Sequence, residues 1–165
     1  MIIYCDMDMV LCNFLKGALD VTGEPFPDKT GKLSKDEKKA IISSKKDFWD
    51  TLEWMPDGKK LWAHITKGGA DVRILSAFAE WDSNCKRGKR IWIARNLKPK
   101  PSKIHLVRRE QKKDYANDDA LLIDDHDKNC KEFINAGGKA IRHINTMQTI
   151  KPVSYTHLTL PTKSS

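Results

Sequence analysis

The chain has no apolar run approaching the roughly 20 residues of a membrane span, and no signal-peptide pattern opens it at Met1. The reading is therefore a protein without a membrane partner, cytoplasmic in location. Cysteine is scarce: Cys5, Cys12, Cys85 and Cys130 are scattered without CxxC spacing. That excludes a zinc ribbon or a disulfide framework and predicts reduced thiols. His64, His105, His126 and His143 show no metal-ligand spacing, and no internal repeat is visible. Acidic residues are outnumbered, 22 Asp and Glu against 30 Lys and Arg, for a net charge of +8. This balance favours an anionic partner, whether a phosphorylated metabolite or a polynucleotide.

What is present is alternation. The 165 residues suffice for one domain with a sizeable core. "MIIYCD", "DVRILS", "KIHLVR", "ALLIDD" and "KAIRHI" are short runs rich in Ile, Leu and Val, as expected of strands buried on both faces of a parallel sheet. Helical patterns separate the later runs, at Gly58 to Lys67, Ser83 to Leu97, Arg109 to Asn117 and Lys128 to Ala136. The prediction is an α/β fold with a doubly wound parallel sheet. Residues 14–56 are too long for a crossover and read as a small helical cap inserted after the first strand, covering the sheet edge, within a domain spanning 1–152. The segment 153–165 is read apart. Its "VSYTHLTLPT" back-translates to a nucleotide string like a transposon-type sequencing adaptor, so a non-native tail is expected there.

Asp6 and Asp8 stand at the end of the first apolar run, Ser76 ends "RILS", and Asp124 with Asp125 ends "ALLIDD". In open α/β sheets ligands bind beyond the carboxyl ends of the strands. Residues i and i+2 of an extended chain share a face, which would aim Asp6 and Asp8 at one point. Clustered carboxylates repel unless a cation lies among them, and all-oxygen ligands select a hard ion such as Mg²⁺. The duller alternative is that the two aspartates cap a turn. The "DD" at another strand end weighs against it.

"DMDMV", "ILS", a lysine some ten residues before a later strand, and "LLIDD" resemble, in that order, the four motifs of the haloacid dehalogenase superfamily. "FWDTLEWMPDGKKLWAHI", "GKRIWIARNL", "QKKDYA" and "LIDDHDKNCKEFINAGGKAIRHI" are similar to the cytosolic 5′(3′)-deoxyribonucleotidase group and its phage and bacterial relatives, over roughly residues 1–146. Met9 departs from the usual Gly of that pattern, and His126 from the usual Arg. The resemblance implies that Asp6 is the nucleophile and Asp8 the acid and then the base. It implies that Mg²⁺ is held by Asp6, the Asp8 backbone carbonyl and Asp124, with Asp125 as second ligand or orienter. Ser76 and a lysine would bind phosphate. Lys112 is the expected lysine, with Lys113 in reserve, since neighbouring side chains on a helix diverge by about 100°.

Other features read as structural. Asp127 and Asn129 start a helix, Gly137 and Gly138 stop it, and "KRGKR" from Lys86 to Arg90 is a solvated helix face. Trp49, Trp54 and Trp62 read as packing, with Phe14, Phe48 or Trp49 as alternatives for lining a nucleobase pocket. Three functions follow: a Mg²⁺-dependent phosphomonoesterase on deoxynucleoside monophosphates, a phosphatase on polynucleotide ends or another phosphorylated metabolite, and a nucleic-acid binding module without turnover. Oligomeric state is not legible.

Overall fold

Ile3 and Cys5 face one side of strand β1 (Ile2–Cys5) while Ile2 and Tyr4 face the other, and both sides are covered. The computed structural model describes residues 1–26 and 31–159. Its elements run β1, α1 (Phe14–Thr22), α2 (Lys35–Ser44), α3 (Gly58–Thr66), β2 (Asp71–Ala77), α4 (Cys85–Asn96), β3 (Ile104–Val107), a 3-10 helix (Arg109–Tyr115), β4 (Ala120–Asp124), α5 (Asp127–Asn135), β5 (Lys139–Arg142) and α6 (Thr146–Thr159). The five strands form one sheet of order β3-β2-β1-β4-β5, and every pairing is parallel. This is the doubly wound α/β architecture that the apolar runs predicted.

The period-2 alternation of the strands builds two cores. Ile3, Cys5, Val72, Ile74, Leu121 and Ile123 face α3, α4 and the segment 14–56, and Tyr4, Leu75, Ala120 and Leu122 face α5 and the 3-10 helix through Phe133 and Tyr115. Each fully buried aliphatic side chain contributes about 1.5–3 kcal/mol. β4 is buried at all five positions, so its terminal Asp124 is carried into a dry environment by the strand itself.

The segment 14–56 contributes α1 and α2. Asn13 caps α1 by accepting from the Lys16 N–H, and Ser34 with Glu37 forms a capping box on α2. It seats on α4 and the loop after β2: Trp49 Nε1 donates to Asp82 at 2.7 Å, Trp92 Nε1 to the Leu52 carbonyl at 2.8 Å, and Ser43 Oγ to the Trp81 carbonyl at 3.3 Å. Residues 14–56 thus pack on α4 and on the loop that leaves the carboxyl end of β2. Pro27 to Thr30, within the expected "TGEPFPDKTGK" loop, lie outside the described residues.

The stretch from 153 onward begins inside α6. Val153 is fully buried in the main core and Ser154 Oγ lies 2.9 Å from His64 Nε2. Residues 160–165 lie outside the described residues.

Candidate active site

β1, β2 and β4 are adjacent in the sheet, with Cys5 level with both Ile74 and Ile123. One step further along that register places Asp6 beside Asp124. The Asp6 N–H donates to the Ile123 carbonyl at 2.9 Å, so the nucleophile candidate stands on the rigid end of the central strand. Beyond it the chain turns, with the N–H groups of Val10, Leu11 and Cys12 all donating to the Met7 carbonyl. Met9 takes the left-handed conformation in this turn, at φ 64°, where the related pattern has Gly.

That turn corrects the expectation that Asp6 and Asp8 share one extended face. The strand stops at Cys5, and the two side chains engage different partners. Asp6 Oδ1 accepts from the Met7 N–H at 2.8 Å and pairs with Lys112 Nζ at 3.1 Å, which leaves Oδ2 to act. Asp8 Oδ2 pairs with Lys89 Nζ at 3.0 Å, while Asp8 Oδ1 is buried without a hydrogen-bond partner.

Lys89 corrects the reading of the Lys86 to Arg90 run as a solvated face. Its ammonium is buried and also donates to Ser76 Oγ and to the Ala77 carbonyl, each at 2.7 Å. Burial opposes the charge on Lys89, but Asp8, Cys85 and Asp6 outweigh it and hold the group protonated above its ordinary value. Ser76, Asp8 and Lys89 therefore form one connected unit.

A second unit surrounds Lys112. Its Nζ lies 2.7 Å from Asp124 Oδ2 and 3.1 Å from Asp6 Oδ1, and the residue is buried, whereas Lys113 is exposed. The supporting element is a 3-10 helix, in which successive side chains diverge by about 120°. Asp124 Oδ1 accepts from the His126 N–H at 2.9 Å, and its Oδ2 accepts from Asn129 Nδ2 at 3.2 Å. Asn129 is itself held through Oδ1 by Arg109 Nη1 at 3.0 Å, so this helix-start residue also orients the site.

Side-chain oxygens of Asp6, Asp124 and Asp125 lie within 4.8 Å of one another; the Asp8 side chain is outside that group. Burial first, and then Asp124, push the Asp6 carboxyl well above its usual range, against the pull of Lys112. Asp125 is raised by burial and by Asp124. Three carboxylates thus face one another with a single ammonium between two of them, a charge deficit that a hard divalent cation fits. Asp6, Asp124 and Asp125 are the residues that would hold it.

Beside Asp8 opens a cavity of about 270 Å³ walled by aromatic residues. Phe14 and Trp49, both singled out in the sequence, line it with rings stacked at 5.5 Å, while Phe48 is buried edge-on behind them. Phe26, Phe78 and Trp81 complete the walls. Sequence reasoning missed these three because isolated loop aromatics carry no periodic signal. Trp54 packs on Trp92 at 4.8 Å and Trp62 Nε1 donates to the Pro99 carbonyl, so both serve the core.

No family model matches the chain, and no curated protein matches it. Solved structures do. The chain is similar to the magnesium-bound HAD hydrolase YfnB of Bacillus subtilis, with a TM-score of 0.60, 11% identity, and coverage of 92% of this chain and 97% of that one. The L-2-haloacid dehalogenase of Xanthobacter autotrophicus aligns at a TM-score of 0.56 with 12% identity over 84% of this chain and 75% of that one. A HAD-superfamily hydrolase of Ehrlichia chaffeensis aligns at 0.54 with 11% identity, over 93% and 95%. The architecture is therefore the α/β fold of haloacid dehalogenase-type hydrolases. At these identities the likeness is one of fold.

Proposed function

We propose that the protein is a Mg²⁺-dependent phosphomonoesterase acting on deoxynucleoside monophosphates through an aspartyl phosphate on Asp6. The observation that carries this reading is the division of labour between the two aspartates. Asp6 is fixed by Lys112 and a backbone N–H with Oδ2 left to attack, and Asp8 is fixed by Lys89 with Oδ1 left to handle a proton. Asp6 Oδ2 forms the bond to phosphorus as the ester P–O bond breaks in line, and Asp8 Oδ1 gives the leaving alkoxide its proton. Asp8 then takes a proton from the water that cleaves the acyl phosphate, which frees Asp6. Lys112, Lys89 and the Ser76 hydroxyl surround the place where equatorial charge builds up. Mg²⁺ held by Asp6, Asp124 and Asp125 would bring nucleophile and phosphate together and offset their charges. The fold neighbour YfnB was crystallised with magnesium, in keeping with that choice of ion.

The aromatic cavity next to Asp8 is the reason to favour a nucleotide over a small sugar phosphate, because its rings offer stacking faces for a base. A binding module without turnover would have no use for the acid-base arrangement at Asp8. The test is a screen of deoxynucleoside monophosphates, sugar phosphates and an aryl phosphate with Mg²⁺. Deoxynucleotides should lead the natural substrates by at least about tenfold in kcat/KM, and equal or better turnover of sugar phosphates would refute the nucleotide assignment.

A further inference from the structure

The aromatic cavity assigned above to a base carries more positive charge than a monophosphate needs. Lys35 and Lys39 line it from α2, and Asp8 is the acidic residue among its walls. Lys39 Nζ lies 5.7 Å over the Trp81 ring, and Lys86 Nζ, from α4, lies 4.1 Å from the Phe78 ring centroid. Trp81 and Phe78 are both cavity walls. None of the three lysines pairs with a carboxylate among the described residues.

Their neighbour Lys38 shows what a structural lysine on α2 looks like. It is fully buried, donates to the Pro25 carbonyl at 2.6 Å and lies 3.8 Å from Glu24 Oε2, pinning the loop before the helix. Among the described residues, Lys35 and Lys39 make no ion pair or hydrogen bond of that kind. They are four residues apart on one helix face, where like charges repel. The reacting phosphate is served by Lys112 and Lys89, and a base stacked among the rings is uncharged. Three cations around the same cavity therefore have no work to do for a mononucleotide.

We propose that Lys35, Lys39 and Lys86 bind a second phosphate, so that the substrate class is a nucleotide carrying a further phosphoryl group beyond the one removed. This rests on the phosphomonoesterase reading and narrows its substrate. The second phosphate belongs either to a free nucleoside bisphosphate or to the first internucleotide linkage of a phosphate-ended oligonucleotide. Exposed charge of this kind is screened by salt, so the preference it creates is salt-dependent.

The experiment compares initial rates on an aryl phosphate, thymidine 5′-monophosphate, thymidine 3′,5′-bisphosphate and a 5′-phosphorylated thymidine dinucleotide. Wild type and the Lys35→Gln/Lys39→Gln double variant are assayed at low and high salt. Wild type should favour the bisphosphate, the dinucleotide or both over the monophosphate by roughly tenfold in kcat/KM, equivalent to about 1.4 kcal/mol. That ratio should fall below about threefold in the double variant and at high salt. Because the readout is a ratio on one protein sample, partial unfolding of the variant does not imitate it. Preference for the dinucleotide identifies a phosphodiester as the second group, and preference for the bisphosphate alone identifies a free nucleotide. Turnover of aryl phosphate with a ratio near one, or with a ratio equal in both proteins, overturns the second-phosphate site alone. Absence of aryl phosphate turnover with Mg²⁺ overturns the phosphatase reading and this one with it.

Discussion

Replacing Lys89 by Met keeps the length of the side chain and removes its charge and all three hydrogen bonds, to Asp8 Oδ2, Ser76 Oγ and the Ala77 carbonyl. Buried hydrogen bonds to a charged group are worth about 1.5–3 kcal/mol each, but the variant also avoids desolvating an ammonium. The Asp8 side chain is 31% exposed and can rehydrate, so the full penalty for stranding a buried charge does not apply. The net loss of stability should be about 1–3 kcal/mol, or roughly 3–10 °C in Tm at this chain length. Catalysis should suffer more. One preorganised charge beside developing negative charge is worth about 10² to 10³ in rate. The assay is aryl phosphate hydrolysis alongside thermal unfolding, read well below the variant's Tm. A variant that unfolds several degrees early yet keeps kcat/KM within about threefold of wild type would refute the active-site role and leave Lys89 as scaffold. Lys89→Arg should not restore the rate, because a planar fork cannot reproduce three bonds that converge on one nitrogen.

The two aspartates should separate cleanly. Asp6→Asn should abolish turnover, whereas Asp8→Asn should lose about 10² to 10⁴ on an alkyl ester while Asp6 is still phosphorylated by an aryl phosphate, whose leaving group needs little protonation; phosphate trapped by acid quench on any residue other than Asp6 would show the nucleophile to be misassigned. Mg²⁺ should raise the Tm of wild type by mass action, about 2.7 kcal/mol at a hundred times Kd, and chelator should reverse this and abolish activity; a Tm indifferent to Mg²⁺, or one that rises equally in Asp124→Asn, would sink the metal assignment. Burial holds His143, which shares a 2.7 Å hydrogen bond with Thr149, below its ordinary value. The unfolded state therefore takes up a proton that the folded state refuses, so stability is full above about pH 6.5 and is lost as pH falls from there. His143→Gln should flatten that slope in urea unfolding between pH 7 and 5, and an unchanged slope would mean that the loss arises elsewhere.

The edge strands β3 and β5 are only partly buried, against the expectation of burial on both faces, and were legible only as short runs with β-branched residues next to helical patterns. The central strands β1, β2 and β4 were legible because each is an apolar run short enough for a strand and too uniform for a half-exposed one. The site residues at their ends were legible for the same reason: polar groups that terminate buried strands must meet at one rim of the sheet. Asp6, Lys112, Asp124 and Asp125 are brought together there, and Ser76 joins Asp8 through Lys89. The geometry just past β1 was not legible, since the tight turn from Met7 to Cys12 depends on a left-handed Met9, a conformation that sequence disfavours for that residue. The aromatic cavity was half legible. Phe14, Phe26 and Trp49 lie in one segment, but Phe78 and Trp81 join them only when that segment packs beside the loop after β2.

Lys89 was hidden by composition and could have been found by register. In α4 the buried residues are Cys85, Gly88, Lys89, Trp92 and Ile93, an i, i+3, i+4, i+7, i+8 stripe facing the core. Gly88 belongs there because a Cβ would come within 2.5 Å of Trp49 Cβ, and Lys89 occupies the next place in the same stripe. Reading "KRGKR" as five consecutive residues shows a charge run; reading it at helical spacing shows one cation aimed inward. A cation in an apolar stripe costs desolvation that only an oxygen partner opposite can offset, so the helical register by itself calls for a buried acceptor. It does not call for catalysis. Lys38 occupies a stripe position on α2 one turn before Ile42 and meets a backbone carbonyl and Glu24 instead. The two cases part at the partner. Lys38 meets the loop that precedes its own helix, whereas Lys89 meets Asp8, Ser76 and Ala77 at the carboxyl ends of central strands, where the fold gathers its chemistry.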